Sequence, residues 1–122
     1  MEKIESFEDL RIWQEARVLV KEVYTDFKSS RDFGFRDQIQ RAAVSIMNNI
    51  SEGFERRSDA DFARFLDIAK GSSGEVRSMY YTATDLGYIS EDTAKKRQER
   101  ARSISAGIGA LTNHLRKKEP RP

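Results

Sequence analysis

The sequence predicts an all-α fold, an antiparallel up-down-up-down four-helix bundle, and three observations carry that prediction. Apolar residues recur at steps of three and four along four segments, the period of a helix and not of a strand. Both prolines, Pro120 and Pro122, stand at the extreme C-terminus, so nothing interrupts a helix before them. Charged residues make up 34% of the chain against 38% hydrophobic, with 22 Lys and Arg facing 20 Asp and Glu. High charge at low net charge suits helices with solvated faces rather than a disordered chain. With 122 residues the chain is expected to form one domain over 1–118, with 119–122 as a frayed tail.

The first segment runs from about Phe7 to Phe27. Its stripe is Phe7, Leu10, Trp13, Ala16, Val20, Val23, Tyr24 and Phe27, with Ser6 as N-cap and Glu8 and Asp9 in the first turn. Ile12 and Leu19 form a second flank seven residues apart. That flank is either covered by the bundle itself or buried by association of subunits. The stretch from Ser29 to Phe35 reads as a connection broken by Gly34. A second helix starts near Phe35 or Asp37, carries Ile39, Ala42, Ala43, Ile46, Met47 and Ile50, and stops around Gly53 to Arg57, with Gly53 a candidate C-terminal cap. Ser58 caps a third helix bearing Phe62, Phe65, Leu66, Ala69, Val76, Met79, Tyr80, Ala83 and Leu86, and Gly87 ends it. Ser90 opens a fourth, where Ala94, Ala101, Ile104, Ile108, Leu111 and Leu115 keep close to a seven-residue repeat, one seam of a bundle. Short connections make neighbouring helices antiparallel.

Composition also narrows the function. The chain has no cysteine, hence no disulfide, thiol nucleophile or thiolate metal site, and its single histidine, His114, leaves no pair for a metal. His114 lies near the end of the chain, followed by LRKKEPRP, and lacks the lysine and glycine that follow a phosphotransfer histidine. No apolar run approaches the roughly 18 residues of a membrane span, and the N-terminus lacks the apolar stretch of a signal peptide. The expectation is a cytoplasmic, non-enzymatic protein without cofactor or metal, and with no membrane partner.

Three constellations remain as candidate sites. On the second helix Arg41, Ser45, Asn49, Glu52 and Arg56 are spaced 4, 4, 3 and 4 and share one face. Ser and Asn are mediocre helix formers with compact hydrogen-bonding groups, which favours a subunit or interhelix contact over a merely solvated face. The third helix contains AKGSSGE, residues 69–75, where Gly71 and Gly74 each cost about 1 kcal/mol relative to alanine. A close helix-helix approach offsets that cost; a phosphate cradle is disfavoured, because GxxxxGK[ST] and a preceding strand are both lacking. Lys70 and Arg77 flank the patch, within reach of an anion. The third constellation is charge. Residues 1–94 hold 13 basic and 18 acidic side chains, net −5, whereas 95–122 hold 9 basic and 2 acidic, net +7. Lys95, Lys96, Arg100, Arg102, Arg116, Lys117 and Lys118 are candidate nucleic-acid contacts, with Lys95, Arg102 and Arg116 in one heptad lane. Complementing the helix dipole accounts for Arg116 to Lys118 but not for the group at 95–102.

Four stretches, FEDLRIWQEA (7–16), DQIQRAAVSIMNNISEGFERRS (37–58), FARFLDIAKGSSGEVRS (62–78) and LGYI (86–89), resemble the proteins encoded in intervening sequences of bacterial 23S rRNA genes, also described as S23 ribosomal proteins. The combination of NNISEGFER with AKGSSGE is the specific part. The resemblance departs at Met47, where family members commonly carry proline. It implies an antiparallel four-helix bundle that assembles as a homopentamer, without enzymatic activity or cofactor. It also implies kinship with the accessory variability protein of diversity-generating retroelements, which binds nucleic acid and a reverse transcriptase. The matched polar residues are Gln38, Arg41, Ser45, Asn49, Glu52, Gly53 and Arg56, then Gly71, Ser72, Glu75 and Arg77. The expected function is therefore a homo-oligomer holding structured RNA or DNA on basic lanes, or else an adaptor for a protein such as a reverse transcriptase.

Overall fold

The computed structural model describes residues 3–117 and is all-α: a 3-10 turn at Phe7–Asp9, then α1 (Arg11–Phe27), α2 (Phe33–Phe54), α3 (Asp59–Asp85) and α4 (Glu91–Lys117). Four helices pack around one core, as the apolar periodicity predicts. The expected tail and Lys118 lie outside the described residues.

Each boundary has a local cause. The first helix is not continuous from Phe7. The Asp9 carboxylate accepts the backbone N–H groups of Glu5 and Ser6, which closes a separate turn, and Leu10 is extended (φ −75°, ψ 126°) before α1 begins. Ser6 thus precedes a single 3-10 turn, and Gln14 ties that turn to α1 by donating to the Glu8 carbonyl at 2.8 Å. The second helix starts earlier than expected, at Phe33, because the Asp32 side chain caps it by accepting the Phe35 N–H. Gly34 is therefore helical. Ser58 and Ser90 cap α3 and α4 by accepting the N–H groups of Asp61 and Thr93. Gly87 takes φ +74° beyond α3, and the Tyr88 N–H reaches back to the Ala83 carbonyl at 2.8 Å, a wrap that favours glycine there.

Gly53 overturns its expected role. It lies inside α2, buried, where an added Cβ would fall 2.7 Å from Phe65 Cβ and 2.9 Å from Phe62 Cδ1. It is the point of close approach between α2 and α3, not a cap. Gly107 plays the same part between α4 and α1, where a Cβ would meet Ile12 Cγ2 at 2.7 Å.

The core is built from Leu19, Val23 and Phe27 of α1, Ile39, Ile46 and Ile50 of α2, Leu66, Val76 and Tyr80 of α3, and Ile104 and Ile108 of α4, all essentially inaccessible. Ile12 and Leu19 belong to this core, so the bundle itself covers the second flank of α1 and that flank gives no ground for subunit association. Residue numbers fall on one helix as they rise on its neighbour. Gln38, Ser45 and Gly53 of α2 meet Glu75, Ser72 and Phe62 of α3 in turn, and Ser73 and Asp67 of α3 meet Ser105 and Arg116 of α4. At one end a run of rings, Tyr80–Phe27–Phe35–Tyr88, steps outward at centroid distances of 5.5, 5.4 and 5.6 Å. There Tyr88 Oη donates to Asp32 Oδ2 at 2.7 Å.

Candidate nucleic-acid interface

The basic stretch of α4 divides between two sides of the helix. Toward α1, Arg97 Nε and Nη2 donate to Asp26 at 2.8 and 3.0 Å, its Nη1 donates to Glu22 at 2.8 Å, and Arg100 Nε donates to Glu22 at 2.7 Å. Tyr80 of α3 completes the cluster by donating to Asp26 Oδ2 at 2.7 Å. The Asp26 side chain is 6% exposed and that of Arg97 17%, so this is a largely desolvated network joining three helices. Hydrogen bonding to Asp26 holds the Arg97 guanidinium more firmly protonated than usual, and burial, followed by the Asp26 hydrogen bond, pushes the Tyr80 phenol well above its ordinary range. Arg100, expected among the phosphate contacts, is turned to Glu22 instead. Its charge is answered within the chain.

The remaining α4 cations stand differently. Lys95, Lys96, Arg102 and Lys117 are exposed, and among the described residues they make no ion pair. Arg116 pairs with Asp67 of α3 at 2.6 Å, both about half exposed. The basic surface is thus narrower than the count of charges suggests, because the carboxylates of α1 neutralise its α1-facing side. Those carboxylates are 71–78 residues distant in sequence, and no local spacing marks the pairing.

The polar stripe of α2 runs along the seam with α3. At its middle Ser45 and Ser72 hydroxyls lie 2.9 Å apart, and Asn49 Nδ2 donates to both the carbonyl and the hydroxyl of Ser45. Its ends are open. Arg41 is exposed beside a groove of about 520 Å³ that Gln38, Ser45, Ser72 and Glu75 also line, and Arg56 lies over the Phe65 ring at 4.5 Å while Glu52 is exposed. Gln38 Nε2 bridges the groove to Glu75 at 3.1 Å. The stripe therefore makes interhelix contact at Ser45 and Asn49 and leaves both ends at the surface.

The glycine patch departs from expectation within the chain. A Cβ at Gly71 or Gly74 would meet nothing within 4 Å, so no helix of this bundle approaches either residue closely. The serines between them do the packing: Ser73 is fully buried, donates to the Ala101 carbonyl at 2.9 Å and accepts from Ser105 at 3.0 Å. Arg77, one turn beyond Ser73, is half-buried on the α4 side of α3.

Among the described residues no cluster of three or more His, Cys, Asp or Glu is placed to hold a metal, and no helix is long and apolar enough to cross a membrane. The arrangement is a helical bundle with one seam knitted by ion pairs and another lined by cations, suited to electrostatic attachment. Within that class, the profile of the 23S rRNA-intervening sequence protein family matches residues 8–110, and the chain belongs to that family. A solved structure from Bacteroides thetaiotaomicron, of a protein of unknown function from the S23 ribosomal protein family, is similar in fold. It aligns with a TM-score of 0.78 at 20% identity, covering 83% of this chain and 97% of that one. No curated protein matches the sequence.

Proposed function

We propose that this protein is a non-catalytic homo-oligomer, a pentamer as the family resemblance implies, that holds structured nucleic acid, RNA foremost, on its basic surface in the cytoplasm. The observation that carries the reading is the sorting of charge on α4: Arg97 and Arg100 are absorbed by Glu22 and Asp26, whereas Lys95, Lys96, Arg102 and Lys117 stay exposed and unpaired among the described residues. Unneutralised cations along a rigid helix attract phosphates and release counterions on binding. The family's name, which refers to an intervening sequence of 23S rRNA, agrees with RNA as the first ligand to try.

Self-association has a support of its own. Gly71 costs helix stability and has no occupant within the chain, and a neighbouring subunit seated there gives it a purpose. A gel shift with 23S rRNA fragments at two salt concentrations, run beside light scattering, tests both parts. Binding that weakens steeply with salt, by a particle several times the 14.1 kDa chain, is the expected result. Failure to bind at low salt refutes the nucleic-acid reading, and a monomer refutes the assembly. An adaptor for a protein partner, such as a reverse transcriptase, is the second reading. It is favoured by Ile68 and Tyr81, large apolar side chains about half exposed on α3. A polymerase that copurifies with the protein would favour it over the first.

A further inference from the structure

We infer that the seam between α3 and α4 is the track on which this chain seats the phosphodiester backbone of a duplex, an assignment that rests on the nucleic-acid reading above and gives it a surface. Two rows of side chains face each other there. On α4 the heptad row is Lys95, Arg102, Gly109 and Arg116; it lies on the α3 side, because Arg116 reaches Asp67 and Lys70 Nζ stands 3.6 Å from where a Gly109 Cβ would be. On α3 the row is Lys70, Gly74, Arg77 and Tyr81, spaced 4, 3 and 4. Ser73, whose hydroxyl bonds α4 at Ala101 and Ser105, fixes that side of the helix toward α4.

The charge of this seam differs from that of two others. Between α1 and α4 the arginines meet Glu22 and Asp26, and between α2 and α3 Arg41 shares its groove with Asp37 and Glu75. At the α3–α4 seam, Lys70, Arg77, Lys95 and Arg102 make no ion pair among the described residues, and the groove of about 510 Å³ at its end contains one carboxylate, Asp67, already held by Arg116. Thr112 lines that same groove and carries a buried hydroxyl without a hydrogen-bond partner among the described residues.

Spacing and relief also fit a nucleic-acid strand. Lys95 and Arg102 stand seven helical residues apart, about 10.5 Å along the helix, and a DNA duplex carries one negative charge per about 1.7 Å of its axis, so both cations find phosphates on one duplex. Gly74 leaves bare backbone within the α3 row, so a bulky polymer can lie close to that helix between Lys70 and Arg77. Backbone contacts of this kind set position without reading sequence.

The test uses the full chain, a hairpin RNA of about 20 base pairs (more than one helical turn), and a DNA duplex of the same sequence, followed by anisotropy over a salt series. Lys70→Glu combined with Arg102→Glu is expected to weaken binding at least roughly tenfold and to make the salt slope shallower by about 2. Lys21→Glu on α1 combined with Lys28→Glu just beyond its end, both exposed, is expected to change affinity less than about twofold. If charge reversal disturbs folding, Lys70→Gln with Arg102→Gln supplies the same comparison in a milder form, with helicity and melting monitored. Equal affinity for the two duplexes supports tracking of any backbone, and binding confined to RNA supports tracking of the A-form. Unchanged binding by the Lys70 and Arg102 variants, or equal loss from the Lys21 and Lys28 pair, overturns the seam while leaving the nucleic-acid reading intact. No binding by the unmodified protein at low salt overturns that reading, and the seam with it.

Discussion

Arg97 places three donors on two carboxylates of α1, and one of those carboxylates, Asp26, also receives the Tyr80 phenol. Removing one partner from such a cluster leaves a charge buried without compensation, which typically costs about 3–5 kcal/mol. Arg97→Ala should lower stability by about that amount, read from urea unfolding, and a loss below about 1 kcal/mol would show that the cluster is surface-like. Tyr80 gives the cluster a pH signature. In the unfolded chain its phenol titrates near 10.0, while burial and the Asp26 hydrogen bond retain the proton in the fold to higher pH. The unfolded state therefore loses its proton first as pH rises. The stabilisation is complete below pH 10 and is lost as pH climbs above it toward the folded-state value. Unfolding free energy measured at about pH 9 and about pH 11 should fall between the two in the natural protein, and fall less in Tyr80→Phe. Parallel declines would separate Tyr80 from the alkaline loss.

At the scale of the helices, the glycines behave as two populations. Gly53→Ala forces a methyl into the Phe62 and Phe65 side chains and should destabilise by about 1–3 kcal/mol. Gly71→Ala, in open space within a helix, should stabilise the isolated bundle by up to about 1 kcal/mol. Thermal melts of the two variants should move in opposite directions, and a shared sign would contradict the packing described. The local sequence presents Gly53 as a helix end and Gly71 as a break within a helix, and neither position reveals which of them is packed. What separates them is which face each presents, and the face of Gly53 became evident only with Phe62 and Phe65 beside it. The elements themselves were legible: steps of three and four, Ser58, Ser90 and Gly87 mark α3 and α4 closely, because capping is local chemistry. The early start of α2 at Phe33 departs from the expected one because the Asp32 cap outweighs the helix-breaking tendency of Gly34. The split before α1 leaves no mark in the periodicity, because Phe7 and Leu10 keep a helical period through a turn that is not α-helical. The candidate interface was legible only in part. The basic lane is a spacing and can be counted, whereas the acids that silence Arg97 and Arg100 arrive from α1 through the fold.

For the whole molecule, a fold shared with a relative at 20% identity shows that the bundle depends on pattern more than on particular residues. A fold of this kind does not fix a function, and the proposed one rests on the surface charge of α3 and α4. One chain carries a formal charge of only +2, a weak attractor by itself. In the proposed pentamer five chains carry five times that charge, arrayed on repeated seams, and the salt dependence expected in the gel shift follows from such repetition. In that proposal assembly and binding are linked, because repeated seams engage more phosphates than one seam does.

Asp32 has two tasks at one end of the bundle, capping α2 through the Phe35 amide and receiving the Tyr88 hydroxyl from beyond Gly87. Because a single carboxylate latches both connections, the two loops are expected to open together, and Asp32→Ala should speed amide exchange behind both of them and not behind one alone.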